Sequence, residues 1–146
     1  MIPVVKRILQ AGIPVMGHLG LTPQSVHRFG GFLVQGKDDA SANRLKQAAI
    51  ALEDAGCFAI VLEAVPADLA AEVSQSLSIP TIGIGAGPNC DGQVLVAPDM
   101  LGMTGFKAKY LRQYADVAGS IRAAAEAFVR DVKSGDFPTQ NESYGV

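Results

Sequence analysis

Short apolar runs alternate along this chain with longer segments whose apolar residues recur at helical spacing. The runs are IPVMGH (13–18), FAIVLEAVP (58–66), IPTIGIGAG (79–87) and QVLVAPD (93–99). Each is too short for a typical helix and rich in Val and Ile, so each reads as a strand buried on both faces. DASANRLKQAAIALEDAG (39–56), with stop chemistry at Gly56, and PADLAAEVSQSLS (66–78), with Asp68 near its start, are predicted helices. A short helix is predicted at 107–114 and a longer one at 116–134, closed by Gly135. The resulting βαβαβ order predicts an α/β fold with a parallel sheet. No compositional shift or low-complexity linker interrupts residues 1–146, so the chain reads as one domain.

One connection stands apart. LGLTPQSVHRFGGFLVQGK (19–37) is too long for an ordinary strand-to-helix link, and long loops of this kind are functional or disordered. Each predicted strand also ends in a polar or Gly-rich turn: His18, Glu63, Gly85–Gly87 and Asp99. Parallel α/β folds gather ligands at the carboxyl ends of their strands, which places His18, Glu63 and Asp99 on one rim.

Composition narrows the function classes. A chain of 146 residues, 49% hydrophobic, has enough apolar material for a sizeable core. A net charge of -2 without a Lys/Arg run leaves no electrostatic footprint for nucleic acid or an anionic membrane. The N-terminal MIPVVKRILQAG carries Lys6 and Arg7 within its apolar stretch, unlike a secretion signal, and no segment approaches a membrane span. Cys57 and Cys90 lie far apart, without the spacing of a zinc site or a disulfide framework. A cytoplasmic protein is the expectation.

Glu63 is the sharpest candidate for chemistry. Ile60, Val61 and Leu62 precede it and Ala64, Val65 and Pro66 follow, with no neighbouring charge. A carboxylate held against apolar walls loses hydration, which suits it to general acid–base work. The opposing reading, a Glu swung into solvent or paired with a basic residue on an adjacent loop, stands beside it. For His18 the spacing favours a hydrogen-bonded histidine that packs the end of a strand, and His27 reads as surface. GIGAGPNCDG (83–92) follows a strand, but Pro88 and Gly92 interrupt any helix behind it, so it is a weak nucleotide motif. It reads as a tight loop where backbone passes close to a substrate or to neighbouring strands. Asp91 and Asp99 are two separated carboxylates without a third ligand, which does not make a metal site; Asp99 reads as structural.

The motifs together carry a resemblance. GHLGLTPQS (17–25), FGG…VQGK (29–37), VLEAVP (61–66), IPTIGIGAG (79–87), DGQVLV (91–96) and SGDFP (134–138) resemble ketopantoate hydroxymethyltransferases, collinearly and over essentially the whole chain. Ala64 and Ala97–Pro98 sit where variation is expected, away from the chemistry.

The resemblance implies a TIM (β/α)8 barrel of the phosphoenolpyruvate/pyruvate superfamily. It implies hydroxymethyl transfer from 5,10-methylenetetrahydrofolate to 3-methyl-2-oxobutanoate, giving 2-dehydropantoate for pantothenate and coenzyme A biosynthesis. It places Glu63 at the general-base position and His18 in the substrate pocket, and it implies a Mg²⁺ cofactor and a homo-oligomer. Such barrels have eight βα units and about 250 residues. This chain is expected to supply about four C-terminal units, a half-barrel beginning inside the helix before the fifth strand. The Mg²⁺ carboxylates and a lysine that holds the keto acid belong to the other half. Met1 then reads as an internal methionine of a longer parent or the start of a truncated frame.

Two alternatives accompany this reading: another Mg²⁺-dependent 2-oxo acid C–C bond enzyme of the same superfamily, or a non-catalytic half-barrel that assembles with itself. A half-barrel is expected to leave edges at 13–18 and 93–98. Its inner face would be lined by Val15, Ile60, Leu62, Ile82, Ile84 or their neighbours.

Overall fold

The computed structural model describes residues 1–25 and 33–145. They fall into two compact units, Met1–Val94 and Leu95–Val146.

The first unit runs α1 (Ile2–Gln10), β1 (Met16–Gly20), α2 (Asp39–Asp54), β2 (Ala59–Glu63), α3 (Ala67–Ser76), β3 (Thr81–Ile84) and β4 (Gly92–Gln93). The four strands form one sheet in the order β1-β2-β3-β4, every pair parallel. The helix that begins α2 is specified locally. The Asp38 carboxylate accepts from the Ser41 N–H at 2.9 Å while the Ser41 hydroxyl accepts from the Asp38 N–H. Such a cap contributes about 1 kcal/mol.

The helices cover one face of the sheet. Leu45, Ala49 and Leu52 of α2, with Leu69, Ala70 and Val73 of α3, pack with Ile60 and Leu62 of β2, both 0% exposed. Burying a side chain of that size contributes roughly 1.5–3 kcal/mol. Alternation along β2 then turns Val61 and Glu63 to the opposite face, and register aligns them with His18 and Gly20 of β1 and with Ile82 and Ile84 of β3. That face is only partly covered: His18, Val61 and Ile82 are half-buried, Met16 is 41% exposed, and Ile84 at the end of β3 is buried.

This corrects the expected lining of the inner face. Val15, Ile60 and Leu62 belong to the helix-covered core, while Ile82 and Ile84 lie on the other side. A strand apolar on both faces carries no alternation to say which face meets the helices.

The second unit holds α4 (Ala97–Met100) and α5 (Val117–Ser134). Two expectations fail here. The run 93–99 is not a strand beyond Gln93; Pro98 and Asp99 instead occupy the first turn of α4, where a missing N–H and a carboxylate are both favourable. Residues 107–114 are not a helix. Their neighbourhood bonds elsewhere: the Tyr114 N–H donates to the Met100 carbonyl at 2.8 Å, and the Val117 N–H to that of Leu101 at 3.1 Å. A local turn remains, from the Leu111 N–H to the Ala108 carbonyl at 3.1 Å.

The long helix matches its expectation. Asp116 caps α5 by accepting from the Gly119 N–H at 2.9 Å, and Gly135 closes it. Ile121, Phe128 and Val132 of α5 are exposed. Among the described residues no helix is long and apolar enough to cross a membrane.

Candidate active site

Two candidate residues come together here, Glu63 from the last position of β2 and His18 from the middle of β1. Strand β1 runs two residues beyond its expected end at His18. His18 Nε2 lies 3.0 Å from Glu63 Oε2, although 45 positions separate them in sequence. Their side chains are 33% and 12% exposed, on the partly covered face of the sheet. Of the two readings of Glu63, the structure gives it a basic partner, and that partner is the histidine of the adjacent strand rather than a loop residue. An ionised carboxylate only accepts, so with the imidazole neutral, this contact selects the tautomer with hydrogen on Nε2.

The backbone around Glu63 is held as closely as its side chain. The Leu21 N–H donates to the Glu63 carbonyl at 2.8 Å, the Ala64 N–H to the Ile84 carbonyl at 2.9 Å, and the Gln35 N–H to the Ala64 carbonyl at 2.9 Å. Gly20 makes the first of these approaches feasible: at φ +87°, a Cβ there would stand 2.1 Å from the Glu63 carbonyl oxygen. Ala64 has φ +50°, the left-handed region, and is the one described non-glycine residue with positive φ. That conformation costs an alanine about 1–2 kcal/mol.

Gly20 and Ala64 are the residues that sequence reasoning missed. A glycine two positions past the predicted strand is a faint signal for the first. Alanine carries no mark of left-handed backbone, so the second had none.

The other candidates take structural places. Asp99 sits in α4, not at a strand end, with its carboxylate accepting from the Thr104 hydroxyl. Asp91 accepts from the Thr81 N–H at 2.7 Å and from the Thr81 hydroxyl at 2.9 Å, and these bonds hold its carboxyl below the ordinary range. Thr81 is fully buried and is bonded in turn to the Ser74 hydroxyl at 2.7 Å, tying α3 to β3. The Gly-rich turn packs on protein: a Cβ at Gly87 would lie 2.4 Å from that of Ala67, at the start of α3. His27 and the centre of the 19–37 loop lie outside the described residues.

A resident metal finds no donor set here. Among the described residues no three His, Cys, Asp or Glu side chains are placed to hold an ion, and Asp91 and Asp99 are already engaged.

The whole chain also has relatives. The family model for ketopantoate hydroxymethyltransferase matches residues 1–140. This chain belongs to the ketopantoate hydroxymethyltransferase family. It is 55% identical over 146 residues to the 3-methyl-2-oxobutanoate hydroxymethyltransferase of Methylobacterium sp. (strain 4-46), covering 99% of this chain and 51% of that protein. It is 57% identical to the protein of the same name from Christiangramia forsetii, over 96% of this chain and 52% of that protein. The corresponding protein of Syntrophus aciditrophicus is 55% identical over the same shares. The chain thus spans about half the length of the curated hydroxymethyltransferases it matches.

Proposed function

We propose that this chain is about four βα units of a TIM-barrel ketopantoate hydroxymethyltransferase, with Glu63 as general base and His18 beside the substrate. The observation that carries the reading is the His18–Glu63 pair, half-buried on neighbouring parallel strands, with Glu63 at the carboxyl end of β2 and both on the face opposite α2 and α3. In a closed barrel that face is the interior, and the carboxyl ends are where substrates bind.

The substrates are 3-methyl-2-oxobutanoate and 5,10-methylenetetrahydrofolate. Glu63 takes the proton from C3 of the keto acid, next to its ketone, and C3 bonds to the one-carbon unit as that unit's two bonds to the folate nitrogens break. Water supplies the hydroxyl, and the C3 proton and water's remaining hydrogen end on those nitrogens. His18 spends Nε2 on Glu63, which leaves Nδ1 to face the keto acid. The reading keeps the Mg²⁺ ligands on strands outside this sequence, as the family resemblance implies.

Alone, the chain is proposed to associate with itself and to lack transferase activity. The partly covered sheet face, the edges at β1 and β4 and the exposed apolar positions of α5 support association. The proposal includes a cytoplasmic location, which suits the free Cys57 and Cys90.

The test is a chimaera in which this chain replaces the matching half of the Methylobacterium sp. relative. Turnover of the keto acid with methylenetetrahydrofolate and Mg²⁺ supports the reading. A folded chimaera that turns over a different 2-oxo acid and not this one overturns it in favour of another activity of the superfamily.

A further inference from the structure

Glu63 is followed by a peptide group in an unusual orientation. In an extended strand the N–H and C=O of one residue point to the same side. The Ala64 N–H does meet β3, at the Ile84 carbonyl. Its C=O does not follow; the left-handed backbone, φ +50°, turns it to the Gln35 N–H, on the returning end of the 19–37 connection. The outgoing end of the same connection, at Leu21, holds the Glu63 carbonyl on the β1 side. Three segments that are remote in sequence thus fasten the two successive residues, Glu63 and Ala64, through their backbone.

We propose that Ala64 is a positioning residue for Glu63. Its left-handed conformation lets both ends of the long connection clamp the chain beside the carboxylate. With the backbone fixed on both sides, the Cα–Cβ direction of Glu63 is set, and its side chain reaches His18 at 3.0 Å. Strained backbone of this kind persists only where the surroundings over-determine it. Here the three hydrogen bonds do so. This inference rests on the reading of Glu63 as the base, but it concerns geometry that is measurable without turnover.

The experiment uses the 146-residue chain. Long-range ¹H–¹⁵N spectra at alkaline pH report whether the His18 ring carries its hydrogen on Nε2, and amide exchange reports the Leu21 and Gln35 N–H groups. Ala64→Gly tolerates positive φ and is expected to keep the Nε2–H signature and the slow exchange of both amides. Ala64→Val opposes positive φ and is expected to lose the signature and to speed Gln35 exchange at least tenfold, with the far-UV dichroism retained. Ala64→Asn, larger than alanine yet tolerant of the left-handed region, is expected to follow Ala64→Gly. A folded Ala64→Val protein with the unsubstituted signature and exchange overturns the proposal, as does an Ala64→Gly protein that loses them. If Ala64→Val does not fold, the unsubstituted chain decides: Leu21 and Gln35 amides exchanging at the rate of unstructured peptide overturn the proposal, and protected ones support it. None of these readouts touches the identity of the base, which is tested separately by proton exchange on the keto acid.

Discussion

His18 on β1 and Glu63 on β2 meet through Nε2 and Oε2 at 3.0 Å, one hydrogen bond joining two strands across the sheet. The pair makes the imidazole an orienting group for the carboxylate and fixes which ring nitrogen is free. The neutral His18 ring is expected in its Nε2–H form in the unsubstituted chain and without a fixed tautomer in Glu63→Ala. Long-range ¹H–¹⁵N spectra of the two proteins check this directly.

Gly20 is expected to tolerate no side chain. Gly20→Ala adds a Cβ 2.1 Å from the Glu63 carbonyl oxygen at φ +87°, whereas Gly12→Ala adds one at φ +79° with nothing within 4 Å. Both carry the backbone strain, so their difference isolates the clash. Gly20→Ala should cost about 1–3 kcal/mol more than Gly12→Ala, the range for overpacking. Urea midpoints at unchanged slope are the measurement.

The two faces of β2 are expected to respond differently to truncation. Leu62→Ala empties a fully buried site under α2 and α3 and should cost about 2–5 kcal/mol. Val61→Ala, on the partly covered face, should leave unfolding within about 1 kcal/mol and weaken self-association. Denaturant unfolding and light scattering on the same preparations separate the two effects.

Acid should remove the contribution of Asp91. Its carboxyl titrates below the ordinary range because the Thr81 backbone N–H and hydroxyl bond the ionised form. A depressed folded-state value means that the unfolded chain binds more protons in that interval, so stability rises with pH there. The contribution is fully present above an unfolded value of about 4 and is lost as pH falls through the lower folded value. Asp91→Asn should therefore lower the melting temperature at neutral pH, and the gap to the unsubstituted chain should narrow as pH drops below about 4.

Much of this arrangement is legible in the sequence, and the exceptions have physical causes. The β-branched runs around Ile60 and Ile82 become strands, and Asp116 and Gly135 bound α5. VLVAP looked like strand because Val94, Leu95 and Val96 are apolar, but Pro98 suits the first turn of a helix. The 107–114 segment has helical spacing without a cap, and tertiary hydrogen bonds to α4 beside it prevail over that weak preference. His18 and Glu63 could each be singled out by its place at a predicted strand end, yet their contact depends on the register of β1 against β2. Ala64 shows the limit most sharply. Its backbone is imposed by Leu21, Gln35 and Ile84, three contacts that no local pattern encodes.

The central claim is that Glu63 moves the C3 proton of the keto acid. It is tested most directly by deuterium exchange at C3 of 3-methyl-2-oxobutanoate in the chimaera with the Methylobacterium sp. half, without folate, comparing the unsubstituted protein with Glu63→Gln. The amide is nearly isosteric and cannot accept the proton, so exchange should fall about 10²–10⁴-fold with keto-acid affinity nearly unchanged. Exchange at the unsubstituted rate in a folded Glu63→Gln protein would contradict the claim.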